Sequence, residues 1–386
     1  MQATSISEHE EELLVDEDDQ KFLPIAAIYG PNGSGKSTVL EALVFLISVV
    51  MRPINILKNN KDNKIKSTTQ SIPFKFNESS LESPSEFELF FRTLNAEYRY
   101  NLKIKKNIIV YESLHKQNIN GVRPSKIFIR DSSTGKIEVG KLLKSLEKTD
   151  VAETMPFLAY VKILKEIDVI NDVIDWFERC ELINFGNPFH ESTVILFKNQ
   201  KVQNIMSKML QEMDNDILGF RFEVDDKEND AEVFTKHIIN NNEYELKLEE
   251  ESSGTIKLFA FLPLVIRVLI NGGLIVIDEM DAKLHPKLIR YIVELFSKRK
   301  SNPRKAQLIF TSHDLTTMKK EIFRRDEIWF VAKDNTQSSR LYSLVEFKDK
   351  EGNGVRKDAT FDKQYLEGRY GADPYLQCCL NWEAEL

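Results

Sequence analysis

Runs of apolar residues that end in polar turns divide the chain into predicted elements. The run at Ile25–Tyr29 has the length and composition of a buried parallel strand. Residues 38–50 then carry apolar side chains at the spacing of one helix face. Two further runs, residues 274–277 and 306–311, predict strands of the same sheet, with a helix between them at 286–300. This order of strands and helices predicts an α/β fold around a mixed sheet.

Alternating apolar and polar positions predict strands elsewhere in the chain. The segments IPFKF, EFELFFR, EYRYNLKI and IIVYESL alternate in this way, which predicts an antiparallel β-subdomain over residues 71–140. Residues 150–218 have helical periodicity without sustained heptads, which predicts an inserted helical subdomain. Residues 220–248 return to strands, with a polar hairpin around residues 240–242.

The length of the chain permits one large domain or two ordinary ones. It has 386 residues, of which 42% are hydrophobic and 29% charged, enough to bury a sizeable core. We assign residues 1–386 to a single domain. Within it, residues 250–330 carry the motifs described below other than the glycine-rich turn, and a C-terminal tail occupies residues 331–386.

Charge and cysteine usage restrict the class of protein. A net charge of -7 and a pI near 5.6 give no overall basic surface for nucleic acid, although the basic run at residues 298–305 leaves local contacts open. Three cysteines offer neither a disulfide framework nor metal-ligand spacing, which suits a reducing compartment. The polar start predicts no signal peptide, and no segment is expected to reach the length of a membrane span. A cytoplasmic protein is therefore expected.

The turn between the first strand and the first helix matches the pattern G-x-x-x-x-G-K-[ST] in full. At a helix N-terminus, free backbone N–H groups and the helix dipole favour a phosphate group. Lys36 is expected to reach the β- and γ-phosphates of ATP, and the Ser37 hydroxyl to bind Mg²⁺. A glycine-rich turn without a ligand is the alternative. The predicted nucleotide-binding residues of this turn are Gly30, Asn32, Gly33, Ser34, Gly35, Lys36, Ser37 and Thr38.

The strand predicted at residues 274–277 ends in two acidic residues, at the edge where parallel sheets bind ligands. This arrangement resembles a Walker B strand. Asp278 would then hold Mg²⁺, mostly through water, and Glu279 would act as the general base for the attacking water. The alternative is a strand that ends in solvated acidic residues, and the pairing with the glycine-rich turn favours the metal-binding interpretation.

A polar turn, Ser252-Ser253-Gly254-Thr255, opens a long apolar helix shortly before this strand. Hydroxyl and N–H groups at a helix N-terminus again suit an anion. The turn is similar to the signature motif of ABC ATPases, in which Ser252 and Gly254, with Ser253 beside them, would contact the γ-phosphate of ATP bound to the other subunit. A capped helix start also explains the serines, and the order of the motifs favours the signature interpretation.

Two further segments follow in the same order. The segment Asp281-Ala282-Lys283-Leu284-His285-Pro286 resembles the D-loop region of ABC ATPases in its LHP form, and we expect His285 itself to be structural. The strand at residues 306–311 leads into Ser312-His313. His313 resembles the switch histidine that contacts the γ-phosphate, and its position one helix after the acidic pair favours this role over a solvated histidine.

Together with the terminal FDKQYLEGRYGADPYL, these motifs resemble the bacterial ABC-type AAA ATP-binding proteins of abortive-infection and related antiphage systems. Those proteins are relatives of the SMC, RecF and OLD-nuclease ATPase heads. The resemblance covers about residues 1–376. It implies ATP and Mg²⁺ as cofactors, an ATP-sandwich homodimer or higher assembly, and control of a separately encoded effector such as a nuclease.

Two features bear on this resemblance. Members of the family usually begin with a strand and an Asn-Phe-Arg-Ser-Phe-like segment that edges the sheet, whereas this sequence opens at MQATSISEHEEELL. Either that segment is absent from this chain or the start was assigned too late, and its loss would expose a sheet edge and weaken base stacking. Gln70, in the polar linker at residues 57–70, is either the Q-loop residue that links Mg²⁺ to the β-subdomain or an ordinary linker residue, and the second interpretation is favoured.

Three other functions are weighed against the ATP-dependent switch. A DNA-repair or DNA-tethering head needs a basic groove that the overall charge does not reveal. The nucleotide-binding subunit of a transporter is disfavoured by the helical insertion and by the signature sequence. A fused nuclease needs an acidic metal cluster after His313, and the acidic residues there form no recognisable motif, so no fused effector is expected.

Overall fold

The computed structural model describes residues 1–58, 71–184, 199–213, 217–225, 230–282, 284–349 and 351–372. The chain forms two compact units. Unit 1 consists of Met1–Asp16, Gln20–Ser37 and Glu181–Leu386, and unit 2 of Glu17–Asp19 and Thr38–Cys180. Gln70 lies outside the described residues. The assignment of the whole chain to one domain, with the subdivisions given above, stays a prediction.

The strands and helices are numbered along the chain. The strands are β1 Leu14–Val15, β2 Lys21–Phe22, β3 Ile25–Tyr29, β4 Ser85–Arg92, β5 Ala96–Lys105, β6 Ile108–Asn118, β7 Ser125–Asp131, β8 Lys136–Val139, β9 Cys180–Asn184, β10 Gly219–Asp225, β11 Asp230–Ile239, β12 Asn242–Lys247, β13 Leu274–Asp278, β14 Gln307–Thr311, β15 Ile328–Lys333 and β16 Ser339–Ser343. The helices are α1 Lys36–Lys58, α2 Glu78–Glu82, α3 Phe157–Leu164, α4 Asp168–Glu178, α5 Gln200–Met213, α6 Ser253–Asn271, α7 Pro286–Ser297 and α8 Phe361–Leu366.

A mixed sheet with the strand order β16-β15-β3-β14-β13-β9 forms the centre of unit 1. Strands β3, β13, β14 and β15 run parallel, and β16 pairs antiparallel with β15. β14 lies between β3 and β13, so Ile309 pairs with Ala26 on one side and Val276 on the other. Because parallel strands end at the same edge, the glycine-rich turn, the acidic pair and His313 meet there. The predicted α/β fold with a mixed sheet is confirmed.

The tail after β16 closes the hydrophobic core of unit 1. Tyr365 on α8 stacks on Phe330 with ring centroids 5.5 Å apart, and Tyr370 lies 5.2 Å from the same ring. The Tyr342 hydroxyl donates to the Tyr370 carbonyl at 2.5 Å. The aromatic residues of the terminal motif therefore stabilise the sheet from which the site is built.

Unit 2 contains an antiparallel sheet in the order β4-β5-β6-β7-β8. Aromatic side chains join this sheet to α4, since Phe91 stacks 4.4 Å from Trp176 and lies 5.7 Å from Phe177. The predicted strand at residues 72–76 is wrong. This segment contains Pro73, which lacks the N–H group of a ladder residue, and it leads into α2 rather than into the sheet.

A second antiparallel sheet, in the order β10-β11-β12, belongs to unit 1. Asn240 and Asn241 connect β11 to β12 with positive φ angles of 50° and 65°. Asparagine tolerates this left-handed backbone, and two such residues in succession form the tight turn that suits the twist of a hairpin. The predicted strands with a polar hairpin are confirmed.

The region predicted to be helical, residues 150–218, also contains a strand. After α3 and α4 the chain enters β9, which forms one edge of the main sheet. β9 has only 5 residues. A run of this length between two helices is too short for a period of two to be recognised, and the sequence therefore missed it.

Two helices are long and apolar enough, by length and composition, to cross a membrane, so the expectation that no segment reaches this length is wrong. They are Lys36–Leu57 and Ser253–Asn271. The second carries Phe261, Leu262 and Val265 into the hydrophobic core of unit 1. A core helix that is covered on most sides has the same composition as a membrane span.

The start of the chain is held by a buried arginine. Arg324 is fully buried and donates to the carbonyl groups of Thr4, Ile6 and Glu8. The backbone N–H and the hydroxyl of Thr4 both donate to Asp326, at 2.8 and 2.7 Å. These contacts hold an irregular segment by its backbone groups and provide partners for the buried guanidinium.

Glu327, next to this cluster, makes the stability of the fold depend on pH. It is fully buried, and its Oε1 has no hydrogen-bond partner within the described parts of the chain. Burial raises its pKa from 4.5 to about 8, and the neighbouring Asp326 and Glu12 add to the shift. Between these two values the unfolded chain ionises while the folded chain stays neutral, so the stability falls as the pH rises through this window.

We therefore expect Glu327→Gln to remove this pH dependence and to raise the free energy of unfolding at pH 8 by up to about 4 kcal/mol. The measurement is urea unfolding at pH 5 and pH 8, with the exposed Glu321→Gln as a control. An equal gain at both pH values would indicate a packing effect instead and would contradict the assignment.

Candidate nucleotide-binding site

The glycine-rich turn follows β3, whose residues are all buried, and leads directly into α1. A Cβ atom at Gly30 would lie 2.5 Å from the Val331 carbonyl oxygen, and one at Gly35 would lie 2.6 Å from Ser339 Oγ. Ser339 Oγ also donates to the carbonyl of Ser34 at 2.6 Å. Only glycine fits these two positions, so β15 and β16 fix the shape of the turn.

The other residues of the turn differ in their exposure. Asn32, Gly33 and Thr38 are exposed, and Ser37 is partly buried. Ser34 is buried, and its Oγ has no hydrogen-bond partner among the residues that the structure describes. A buried hydroxyl without a partner is costly, and a phosphate oxygen would satisfy it.

The Lys36 side chain folds back over the turn. Its Nζ donates to the carbonyl oxygens of Gly30 at 2.8 Å and Pro31 at 3.1 Å. Burial lowers the pKa of this amine, and the carboxylates of Asp278, Asp281 and Glu279 oppose the shift. The lysine of the turn and the acidic residues after β13 therefore belong to one electrostatic site.

Thr311, at the end of β14, organises the acidic end of the sheet. Its side chain is fully buried. Its Oγ1 donates to Asp278 Oδ1 at 2.6 Å and accepts from the backbone N–H of Glu279 at 2.7 Å. A hydrogen bond behind a carboxylate fixes its orientation, which is what a metal ligand requires.

The backbone after β13 has an unusual conformation that turns Glu279 outwards. Glu279 has a φ of 50°, and its side chain is exposed. The buried Lys257 on α6 donates to the carbonyls of Glu279 at 3.2 Å and Met280 at 3.3 Å, and also to that of Ala282. A left-handed residue persists only where its surroundings hold it, and such residues cluster at functional sites.

Asp281 links this loop to the predicted switch histidine. Its Oδ2 accepts from the backbone N–H of His313 at 3.1 Å, while its Oδ1 is buried and has no hydrogen-bond partner in the part of the chain that the structure describes. The His313 side chain is exposed. His285 instead caps α7, because its Nδ1 accepts from the N–H of Lys287 at 3.2 Å, so its predicted structural role is confirmed.

The signature turn begins α6 with its polar groups exposed. Ser252 Oγ accepts from the N–H of Thr255 at 3.2 Å, so Ser252 is the helix cap. Ser252 and Ser253 are exposed and Gly254 is partly buried. In the part of the chain that the structure describes, none of the three bonds to the glycine-rich turn. The capping role is established, and the contact with a second subunit stays a prediction.

The residues present fit ATP with Mg²⁺. The glycine-rich turn, with the orphaned Ser34 Oγ and with Lys36, would hold the phosphates. Ser37 and the oriented carboxylate of Asp278 would hold Mg²⁺, a hard cation that prefers oxygen ligands. Glu279 would face the water that attacks.

Four residues of this site were not predicted from the sequence. They are Thr311, Lys257, Asp281 and Ser339, which position the predicted residues. Thr311 ends the strand that leads into His313, and Asp281 opens the segment that resembles the D-loop, so their positions beside His313 and Glu279 were an available signal. Ser339 acts across 305 positions on Ser34, and no local pattern indicates such a contact.

Thr311 gives a direct test of the acidic site. We expect Thr311→Val to lower Mg²⁺ affinity or ATP turnover about 10- to 100-fold, because Asp278 loses the hydroxyl that orients it. Isothermal titration with Mg²⁺ and ATP, together with a turnover assay, measures the loss. Thr311→Ser keeps the hydroxyl and should behave as the parent does. If Thr311→Val retained full activity, the orienting role would be wrong.

The site combines a buried strand, a glycine-rich turn and a helix with a second strand that ends in acidic residues at the same edge of the sheet. These features define a P-loop nucleotide-binding protein. Residues 25–319 match the family model described as "AAA domain, putative AbiEii toxin, Type IV TA system". Because this match covers more than half of the chain, the protein belongs to that family. The predicted resemblance to ABC-type AAA ATP-binding proteins is confirmed.

Solved structures similar to this chain include SMC heads. The "SMC head domain from Thermotoga maritima" is 16% identical with a TM-score of 0.39, over 86% of this chain and 97% of that chain. An Smc head domain from Pyrococcus furiosus, bound to the C-terminal domain of ScpA, is 14% identical with a TM-score of 0.39, over 86% of this chain and 94% of that chain. No curated protein matches the sequence.

Proposed function

We propose that this protein binds and hydrolyses ATP, and that two copies close on ATP as a switch. The observation that carries the proposal is that Lys36, Asp278 and Glu279 lie at one edge of the sheet. There, burial lowers the pKa of the lysine amine, and the two carboxylates oppose this shift. A cation for phosphate, a carboxylate for Mg²⁺ and a carboxylate for water are the parts that phosphoryl transfer needs.

Each residue of the site has a separate role in this proposal. Lys36 and the N–H groups of the turn hold the β- and γ-phosphates, and Ser37 and Asp278 hold Mg²⁺, which neutralises the charge that develops there. Glu279 takes the proton from the attacking water. His313 contacts the γ-phosphate and responds to its loss.

The second subunit enters through the signature turn. Ser252, Ser253 and Gly254 lie at the N-terminus of a long helix, where hydroxyls and N–H groups suit an anion. Each copy would supply this turn to the γ-phosphate held by the other. ATP then binds the closed dimer better than the open form, and this difference in affinity is what allows hydrolysis to reopen the pair.

We further propose that the closed dimer, or a higher assembly of it, controls a separately encoded effector, a nuclease, in antiphage defence in the cytoplasm. The toxin named in the description of the family model supports a role in defence. A DNA-tethering head is the alternative function, and it would bind nucleic acid directly.

The solution mass of Glu279→Gln with and without ATP and Mg²⁺ tests the switch. Light scattering should show a mass that doubles only with ATP, because slow hydrolysis keeps the dimer closed. Ser252→Arg in the same background should remain monomeric and still bind ATP. An ATP-bound monomer of Glu279→Gln would refute closure, whereas stimulation of the parent protein's ATP turnover by added DNA would favour the DNA-tethering alternative.

A further inference from the structure

The hairpin of β11 and β12 has two different faces. On the outer face, Arg221 bonds to Glu245 at 2.9 Å, and its guanidinium lies 4.1 Å above the Phe234 ring. Lys247 bonds to Glu232 on the same face at 3.0 Å. This face is a ladder of ion pairs, which is the usual character of a sheet surface in water.

The inner face continues the side that packs on the core. Thr235 pairs with Leu246, His237 with Tyr244, and Ile239 with Asn242, and residues directly opposite each other share a face. Thr235 is fully buried. Towards the tip the same face becomes exposed and apolar, with Leu246 exposed by 40%, Tyr244 by 50% and Ile239 by 57%.

These three side chains, Ile239, Tyr244 and Leu246, are called the hairpin patch. Among the described residues, they lie on the same face of the hairpin as the buried Thr235. Apolar side chains grouped beyond the core mark a contact surface rather than a solvated one.

One carboxylate, that of Glu251, connects the hairpin to the signature turn by hydrogen bonds. Glu251, the residue before Ser252, has a side chain exposed by only 9%. Its Oε1 accepts from Thr235 Oγ1 at 2.5 Å and contacts His237 Nε2 at 2.7 Å. Thr235 and His237 stand directly opposite two residues of the hairpin patch, so Glu251 bonds to the same face of the hairpin that carries the patch.

We propose that the hairpin patch docks on a second copy of this chain in the ATP-bound dimer, and that Glu251 couples this contact to the position of Ser252. The inference rests on the proposed function, in which the signature turn meets the other subunit. A specific interface buries about 1,200–2,000 Å² in total, far more than three side chains provide. The patch therefore extends an interface that ATP creates and does not form one alone.

Two sets of variants in the Glu279→Gln background test the proposal by the dissociation constant of the ATP-bound dimer, measured by analytical ultracentrifugation. Tyr244→Ala with Leu246→Ser should weaken the dimer about tenfold or more, with ATP binding to the monomer unchanged. Ile238→Ser, which changes an equally exposed residue of the outer face, is the matched control and should leave dimerisation unchanged.

The coupling has its own test. Thr235→Val removes one donor to Glu251 and leaves the three side chains of the hairpin patch in place, although it also removes the hydroxyl that lies 3.3 Å from the carbonyl oxygen of Leu246. It should weaken the dimer while ATP binding to the monomer is kept. Thr235→Ser should restore the dimer. A general loss of folding would lower ATP binding in both variants, which distinguishes it from mispositioning.

The outcomes separate the two proposals. If Ser252→Arg abolishes the dimer and the patch variants do not weaken it, the sandwich stands and the docking role of the hairpin is overturned. If the parent Glu279→Gln never dimerises with ATP, both proposals fail. If the patch variants dimerise normally but lose a co-purifying protein, the occupant is that protein and not a second copy.

Discussion

Lys36→Ala is expected to lose ATP binding almost completely. The amine is the charged group that the glycine-rich turn offers to the β- and γ-phosphates, and it is buried beside the turn. Loss of a buried charge-assisted contact costs about 2–5 kcal/mol, which is ~30-fold or more in Kd. Binding of a fluorescent ATP analogue by the purified variant measures this change.

The folded state should tolerate this substitution. Burial already lowers the pKa of Lys36, so removal of the amine relieves a desolvation cost. The thermal midpoint of Lys36→Ala should therefore equal or exceed that of the parent. Lys300→Ala, at an exposed position, is the matched control and should bind ATP normally. Normal ATP affinity in Lys36→Ala would overturn the assignment of the site.

The parts of the site that are local in sequence could be predicted, and the parts that depend on strand order could not. The turn from Gly30 to Ser37 and the acidic pair Asp278 and Glu279 are each specified within a few residues, because one strand and one turn fix them. The hydrogen bond from Thr311 to Asp278 requires β14 to lie beside β13. A pattern within one segment does not indicate which strands lie next to each other in the sheet.

The buried charge of Lys257 is a second feature that could not be predicted from the sequence. Lys257 reads as a polar residue in an apolar helix, and lysine is seldom buried without partners. Its amine is buried because three carbonyls of the loop after β13 point towards it. Those carbonyls are oriented by the positive φ of Glu279, and a left-handed glutamate cannot be inferred from residue type.

The start of the chain shows the same limit. No local pattern indicates what the first residues contact. In the structure, they bond to Arg324 and Asp326. These partners lie more than 300 positions away in sequence, which only the tertiary fold brings together.

Glu279→Gln is expected to separate binding from chemistry. The amide has the shape of the carboxylate but cannot accept the proton of the attacking water, and a general base contributes about 10²- to 10⁴-fold to turnover. We expect kcat to fall within that range while the affinity for ATP stays within about twofold, since Lys36, Ser37 and Asp278 are unchanged.

The surroundings of residue 279 indicate that this substitution removes the carboxylate and leaves the contacts of the loop unchanged. The side chain is exposed, and the contacts that hold the loop use the backbone N–H and carbonyl of Glu279, which glutamine keeps. A single-turnover assay with excess enzyme measures the chemical step directly, and Glu321→Gln serves as the exposed control. If Glu279→Gln hydrolysed ATP at the parent rate, the base would have to be another group, and the dimer trapped by this variant could no longer be attributed to slow hydrolysis.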